Sequence, residues 1–88
     1  MIITHGLDTL IETATHLAST ALLKERTIVL TGASQPQKFA DSDAPFNVGA
    51  AVAAISLLSP GCFICMNGRV MEASRCRRDG RTGHFVYI

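Results

Sequence analysis

Three residues with chemically useful side chains lie together near the start of the chain: His5, Asp8 and Thr9. They follow an apolar segment, residues 1–4, which predicts a short buried strand, and they precede an amphipathic helix. Ligands of open α/β sheets bind at the carboxyl ends of the strands, so this order places the Asp8 carboxylate at a potential ligand site. A simpler interpretation is that Asp8 only caps the helix. The sequence leaves both interpretations open.

The cysteines form a second candidate site. Cys62 and Cys65 are separated by two residues, and Cys76 and His84 follow them. Three thiols and an imidazole are nominally a tetrahedral zinc set, and a close cysteine pair also suggests redox chemistry. The pair falls on a predicted strand, however, where alternation directs Cys62 and Cys65 to opposite faces. Buried structural cysteines are therefore favoured, and we expect neither a metal nor a cofactor.

A glycine-containing turn follows the apolar segment of residues 27–31. Residues 31–34, Thr-Gly-Ala-Ser, resemble the turn with which short-chain dehydrogenases bind a pyrophosphate through backbone amides. That chemistry needs further glycines and a helix that begins at once, and residues 35–38 supply neither. An ordinary turn from strand to loop is favoured.

Strands and helices alternate along the chain in a way that positions these residues. Apolar side chains recur at helical spacing from Leu10 to Ala21 and from Val48 to Leu58, and Thr9 with Glu12 has the spacing of a capping box. Predicted strands cover residues 1–4, 27–31 and 62–66. This β-α-β-α-β order predicts an α/β fold with a parallel sheet and right-handed crossovers.

Turn and cap residues delimit the later elements. Ser42 or Asp43 is predicted to cap the second helix, with Pro45 in its first turn and Asn47 in a capping role. The small apolar residues around that helix predict close packing on both of its sides. Asn67-Gly68 predicts a tight hairpin turn. Residues 72–83 are expected to form a polar loop and residues 85–88 a terminal strand.

The composition limits the classes of function. The 88 residues, 48% hydrophobic and 17% charged, suit one small domain whose apolar surface is partly covered by another chain or by a missing part of its own. A net charge of +1 gives no general attraction to nucleic acid or anionic membranes, and no segment is long enough to span a bilayer. Three cysteines, an odd number, fit a reducing, cytoplasmic compartment. We therefore expect no nucleic-acid or membrane partner.

Four segments, in order, resemble the bacterial-type L-asparaginase family, and in particular its short, single-domain asparaginase-like members. Residues 3–13, ITHGLDTLIET, are similar to the signature I-T-H-G-T-D-T-x-x-E-T and depart from it at Leu7. The other three are the strand and loop of residues 28–36, the S-D-x-x-x-N helix start of residues 42–47, and the third strand and turn of residues 66–70. The resemblance covers nearly the whole chain.

The resemblance implies a three-layer-type α/β domain and hydrolysis of L-asparagine to L-aspartate and ammonia. A threonine nucleophile attacks the side-chain carboxamide, and water then frees the product from the acyl-enzyme. The family carries that threonine in a T-G-G-T-I segment after its first strand, and none of the 88 residues matches this segment. We therefore expect residues 1–88 to be a partial N-terminal-type domain without the first βα unit.

The resemblance also implies site residues. Asp8 corresponds to the family's carboxylate, which is catalytic and holds the substrate's α-amino group, and Ala33 to the residue whose backbone carbonyl receives the substrate amide. Leu7 stands at the position of a catalytic threonine and has no hydroxyl. Arg78 stands at the position of a catalytic lysine, and arginine keeps the charge but cannot shuttle a proton. Binding of a small amino acid or anion between Asp8 and Arg78 stays chemically reasonable.

These expectations favour an asparaginase-like chain that is inactive alone and forms a homo-oligomer, since the family builds its active sites between subunits. An alternative from another class is a non-catalytic binding module that oligomerises through its exposed sheet edge. A zinc or redox protein built on the cysteines is a third. The choice between asparagine and glutamine as substrate stays open.

Overall fold

The computed structural model describes residues 1–19, 26–33, 43–82 and 84–87. In chain order its elements are β1 (Ile2–Thr4), a 3-10 turn (Leu7–Thr9), α1 (Leu10–Ala18), β2 (Thr27–Thr31), α2 (Ala44–Ile55), β3 (Gly61–Met66), β4 (Arg69–Glu72), a second 3-10 turn (Ala73–Arg75), β5 (Cys76–Arg78) and β6 (Phe85–Tyr87). The α/β class and the β-α-β-α-β order predicted from the sequence are confirmed.

The main sheet has four strands in the order β1-β2-β3-β4. The first three are parallel, with Leu30 of β2 paired to Ile3 on one side and Ile64 on the other. β4 runs antiparallel to β3. β2 therefore lies inside the sheet, and its uninterrupted apolar sequence is typical of a strand covered on both faces.

Alternation along β2 divides the interior into two clusters. On one face of the sheet, Ile28 and Leu30 pack with Leu10 and Ala14 of α1, and we call this group the α1-side cluster. On the other face, Val29 packs with Ala51 of α2, and we call this group the α2-side cluster. The sheet thus lies between the two helices, so the predicted three-layer arrangement is confirmed.

The positions of the helices overturn the prediction that both crossovers are right-handed. Both connections, β1-α1-β2 and β2-α2-β3, step in the same direction across the sheet. Two right-handed connections of this kind would place both helices on one face. The helices lie on opposite faces, so one connection is left-handed. As a result, α1 covers one apolar face of β2 and β3, and α2 covers the other.

The helix ends differ from the prediction in two details. Thr9 is the N-cap residue of α1, but its side chain makes no capping hydrogen bond. The preceding 3-10 turn supplies a backbone bond instead, from the Leu10 amide to the Leu7 carbonyl. α1 ends at Ala18, which is exposed, and Ala21 lies outside the described residues.

One side of α2 is exposed, so the prediction of close packing on both sides is wrong for this chain. Phe46 is 63% exposed and Val52 is 56% exposed, and Leu57 just beyond the helix is 85% exposed. α2 contains no charged residue. Its outer side is therefore an apolar surface, which we call the α2 surface: Phe46, Gly49, Val52, Ala53 and Leu57.

Two hairpins complete the described structure, and the first of them follows from local sequence. Asn67 and Gly68 join β3 to β4 with φ of 55° and 76°, the two positive values of a type I′ turn, which confirms the predicted turn. β5 and β6 form the second hairpin, and the predicted terminal strand is confirmed. The expectation of a continuous loop over residues 72–83 is wrong, because Ala73 and Cys76 are buried in the α1-side cluster and shape that segment into a 3-10 turn and a strand.

Candidate functional site at the carboxyl edge of the sheet

The connection from β1 to α1 is held by a histidine–threonine pair. The His5 ring bonds the Gly6 carbonyl through Nδ1 (2.8 Å) and the Thr13 hydroxyl through Nε2 (3.0 Å). A carbonyl oxygen only accepts, so Nδ1 donates, and in the neutral imidazole Nε2 accepts the Thr13 proton. The sequence alone does not indicate this pair, because the two residues are eight positions apart and meet only when α1 folds back beside β1. The pair fixes the chain just before Leu7 and Asp8.

Gly32 lies where β1 and β2 end side by side. A Cβ atom built on Gly32 would stand 2.4 Å from the His5 carbonyl oxygen and 2.9 Å from a Leu7 methyl carbon. Any side chain at position 32 would therefore separate the two strand ends. This close approach explains the glycine without a bound dinucleotide, which supports the interpretation as an ordinary turn.

An open cavity of about 400 Å³ lies beside Gly32, between the strand ends and the start of α2. Its lining combines backbone and small side chains: Thr4, His5, Gly6, Gly32, Ala33, Ala44 and Val48. Ala33, one of the sequence-predicted site residues, is therefore on the cavity wall. The cavity has the position expected for a ligand site of an open α/β sheet.

The structure brings Asp8 and Arg78 together although 70 residues separate them. Arg78 Nη1 lies 3.4 Å from Asp8 Oδ1. The Asp8 side chain is fully exposed, and that of Arg78 is 37% exposed, with its guanidinium 5.9 Å from the centre of the Phe85 ring. Exposed ion pairs add little stability. An adjacent carboxylate and guanidinium can instead bind the ammonium and carboxylate groups of an amino acid.

The remaining predicted residue, Leu7, does not face the solvent as Asp8 does. Its side chain is half-buried and packs against the α1-side cluster. Leu7 therefore supplies packing between the β1–α1 connection and Gly32. Of the four predicted site residues, the structure pairs Asp8 with Arg78, places Ala33 on the cavity, and turns Leu7 towards the core.

At the start of α2, Asp43 is the N-cap residue, as predicted, but its side chain makes no capping hydrogen bond to the helix. It accepts a hydrogen bond from Nδ2 of Asn47 at 3.0 Å. Pro45 lies in the first turn of the helix, as predicted. The prediction that Asn47 has a capping role is incomplete, because its side chain is 1% exposed and also bonds two other segments. Asp41 and Ser42 lie outside the described residues.

The cysteines do not form a common site. Cys62 belongs to the α1-side cluster and Cys65 to the α2-side cluster, so the sheet separates their sulfur atoms. All three cysteines are free and buried. Within the described ranges, no three His, Cys, Asp or Glu side chains group as metal ligands. The positions favour the structural interpretation of the thiols.

Burial raises the pKa of all three thiols above their ordinary value of 9.0. The unfolded chain therefore loses these protons first, and the stabilisation is complete below pH 9.0 and is lost as the pH rises through the folded-state values. We expect the free energy of unfolding to fall between neutral and strongly alkaline pH, by at most about 1.4 kcal/mol per pH unit for each thiol. Urea unfolding at a series of pH values measures this slope. The triple variant Cys62→Ala, Cys65→Ala, Cys76→Ala is the control, and an unchanged slope in it would assign the effect to other groups.

The comparisons with known proteins agree with the architecture. A family model described as the N-terminal domain of asparaginase matches residues 1–83. The thermostable L-asparaginase from Thermococcus kodakarensis has a TM-score of 0.84 and 29% identity over 99% of this chain and 27% of its own. A probable cytoplasmic L-asparaginase from Campylobacter jejuni has a TM-score of 0.80 and 31% identity over 88% of this chain and 25% of its own. No curated protein matches significantly.

L-asparaginase I from Vibrio cholerae, with 24% identity and a TM-score of 0.83, shares the fold over 98% of this chain and 27% of its own. The fold and the edge site define an α/β domain with an open cavity at the carboxyl ends of parallel strands. The chain belongs to the asparaginase family, as its N-terminal-type domain. It spans about a quarter of the length of the solved structures that it matches.

Proposed function

We propose that this chain carries the substrate-orienting part of an asparaginase-type site. In this proposal the Asp8 carboxylate binds the α-ammonium group of L-asparagine, and the Ala33 backbone carbonyl accepts a hydrogen bond from its side-chain amide. The observation that carries the proposal is the placement of both residues at the carboxyl edge, after β1 and β2 respectively. The two ends of one small amino acid would bridge the two connections.

Arg78 extends this binding role. Its guanidinium is beside Asp8, where it complements the α-carboxylate of an amino acid as Asp8 complements the ammonium. Arginine presents paired donors that match a carboxylate. A bound zwitterion would then replace a weak exposed ion pair with two charge-assisted contacts.

We further propose that the 88 residues do not catalyse hydrolysis alone. Acyl transfer requires a nucleophile, a base within hydrogen-bond reach and donors for the oxyanion. The T-G-G-T-I segment with the family's nucleophile has no match in the sequence. Leu7 has no hydroxyl, and Arg78 stands at the position of the family's catalytic lysine, where an arginine does not serve as a proton shuttle. On this account the 88 residues correspond to the part of the family's N-terminal-type domain that follows its first βα unit.

Ammonia release from L-asparagine tests the absence of turnover. We expect no release above the buffer rate from the chain or from the double variant Leu7→Thr, Arg78→Lys, which restores only the family's second set of catalytic groups. A coupled assay with glutamate dehydrogenase measures the ammonia. Release by the unchanged chain would overturn the proposal, and release by the double variant alone would show that the segment with the nucleophile is dispensable.

Binding is tested separately with L-aspartate as the probe, by following amide chemical shifts during a titration. We expect the shifts to be confined to the segments around Asp8, Ala33 and Arg78. Asp8→Asn should weaken binding about tenfold or more, since it removes the charge opposite the ammonium group. An unaltered affinity in this variant would exclude Asp8 from the site.

The α2 surface supports the further proposal that the chain forms a homo-oligomer. A Cβ atom added to Gly49 would meet nothing within 4 Å, so the fold of one chain does not require this glycine, which costs about 0.5–1 kcal/mol in a helix. A second copy of α2 packed across Gly49 would use the space and bury the uncharged surface around it, as exposed apolar patches on protein surfaces commonly are. A monomer mass in sedimentation equilibrium would contradict this. Assembly through an exposed sheet edge, the alternative from the sequence, stays a prediction.

We propose a cellular location from the state of the cysteines. Three free and buried cysteines fit a reducing, cytoplasmic compartment. The part of the chain that the structure describes includes no helix long and apolar enough to cross a membrane.

A further inference from the structure

We propose that Asn47 is a positioning residue for the site: its carboxamide holds the end of β2 in the place that presents the Ala33 carbonyl to a ligand. This inference rests on the proposed function. Asn47 lies on α2 and is not on the cavity wall, so it acts on the ligand through the backbone of Gly32 and Ala33.

The Asn47 side chain bonds three separate segments. Its Nδ2 donates to the Gly32 carbonyl (2.8 Å) and to the Asp43 carboxylate (3.0 Å). Its Oδ1 accepts from the Asn67 backbone amide (3.2 Å). These partners fix the orientation of the amide, because only an NH₂ group can donate to two oxygen atoms and only the carbonyl can accept.

Two of the three partners, Gly32 and Asn67, lie just beyond the ends of parallel strands. Gly32 follows β2, Asp43 precedes α2, and Asn67 is in the turn after β3. The ladder of the parallel sheet no longer fixes the backbone at these points, and the Asn47 carboxamide takes over this role. The bond to the Gly32 carbonyl sets the plane of the Gly32–Ala33 peptide, and the carbonyl of the next peptide belongs to Ala33.

Gly32 is confined from its other side as well. The His5 carbonyl oxygen occupies the side of Gly32 on which any other residue would carry its Cβ atom. The His5 amide also donates to the Thr31 carbonyl at 2.9 Å. The strand end is thus held between Asn47 and the β1–α1 connection. A shift of this end by about 1 Å would be enough to misplace a group that must meet a ligand at hydrogen-bond distance.

Burial makes the amide necessary once its partners are in place. Asn47 and Thr31 are the polar side chains that the described residues bury most fully, at 1% and 0% exposure. An apolar side chain at position 47 would fill similar space but leave the Gly32 carbonyl and the Asn67 amide without this partner. Gly32 is buried, and a buried carbonyl left unpaired costs about 1–3 kcal/mol, whereas water can reach the exposed Asn67.

Asn47→Asp separates positioning from packing because it keeps the shape and the acceptor for Asn67. As a carboxylate it faces the Gly32 carbonyl and the Asp43 carboxylate with lone pairs and repels both. Burial and the carboxylate of Asp43, the charged side chain that contacts position 47 among the described residues, hold the introduced carboxyl in its protonated form to higher pH than usual. Once protonated, it has an O–H that can donate to Gly32. Asp43→Asn, which leaves the bonds to Gly32 and Asn67 in place, is the matched control.

The experiment titrates the full chain with L-aspartate at about pH 8 and about pH 5, each variant being compared with the unchanged chain at the same pH. At the higher pH we expect Asn47→Asp to bind L-aspartate about tenfold more weakly than the unchanged chain does, and at the lower pH we expect its Kd to lie within about threefold of that chain's. Asp43→Asn should have the Kd of the unchanged chain at both pH values. If Asn47→Asp binds L-aspartate equally weakly at both pH values, the role of Asn47 is only structural and the inference is overturned. Unweakened binding at both pH values would also overturn it.

The Ala33 backbone amide gives a second measurement that needs no ligand. In Asn47→Asp its chemical shift should follow a titration that is absent from the unchanged chain and from Asp43→Asn. If the unchanged chain does not bind L-aspartate but this titration is seen, the proposed function fails while Asn47 still controls the end of β2. If binding is seen without the titration, the proposed function stands and the role of Asn47 is refuted.

Discussion

Gly32→Ala is expected to lower the free energy of unfolding by about 3 kcal/mol or more, a large effect for the addition of one methyl group. The new carbon would lie 2.4 Å from the His5 carbonyl oxygen. That oxygen belongs to the backbone, so no change of side-chain rotamer relieves the contact. β1 and β2 would have to separate at their carboxyl ends, which would also disturb the cavity and the bond between Gly32 and Asn47.

Gly6→Ala is the matched control for this substitution. Gly6 lies in the adjoining connection, with φ of −66° and ψ of 143°, values that alanine adopts freely. Its added Cβ meets nothing within 4 Å. We expect this variant to be unchanged or up to about 1 kcal/mol more stable, because alanine restricts the unfolded chain. Urea unfolding measures both variants, and equal losses at the two positions would mean that the strand ends are not in close contact.

The secondary structure was largely predictable because local physical chemistry determines it. The apolar run of residues 27–31 indicated an interior strand, and Asn67-Gly68 indicated the hairpin turn, since that pair tolerates two positive φ values. The opposite directions of Cys62 and Cys65 followed from strand alternation alone. Each of these predictions depends on neighbours within a few residues.

The errors arose where long-range packing decides the outcome. The hand of a crossover depends on which face of the sheet each helix covers, and α1 and α2 each have an apolar side that suits either face. The segment of residues 72–83 looked polar, yet Cys76 is buried against α1-side residues distant in sequence. The capping box at Thr9 and Glu12 matched the pattern, but a 3-10 turn supplied a backbone bond there instead.

The candidate site was predictable in part, and for different reasons at different residues. Asp8 followed from its position between a strand and a helix. Arg78 and Ala33 came only from the resemblance to asparaginases, because nothing local marks one arginine among several or one alanine among many. The His5–Thr13 pair and the connections of Asn47 depend on tertiary contacts, and no local signal predicts their partners.

Leu30→Ala is expected to lower the free energy of unfolding by about 2–5 kcal/mol, the usual range for a leucine lost from a closed interior. Leu30 is 0% exposed and lies on the central strand, between Ile3 and Ile64 in the neighbouring strands. Leu10 and Ala14 of α1 belong to the same cluster and cover Leu30 on the helix side of the sheet. Neighbours held on three sides by a sheet and a helix cannot collapse into the vacated space, so the cavity should persist.

Leu57→Ala removes the same atoms from an open position and is the control. Leu57 is 85% exposed, so at concentrations where the chain is monomeric the loss should stay within about 0.5 kcal/mol. Domains of this size have a total stability of about 4–13 kcal/mol, and the Leu30 variant would therefore lose a large share of it. Urea midpoints at constant m-value compare the two variants. Similar losses at both positions would mean that the α1-side cluster is not the stabilising core, because only one of the two leucines belongs to it.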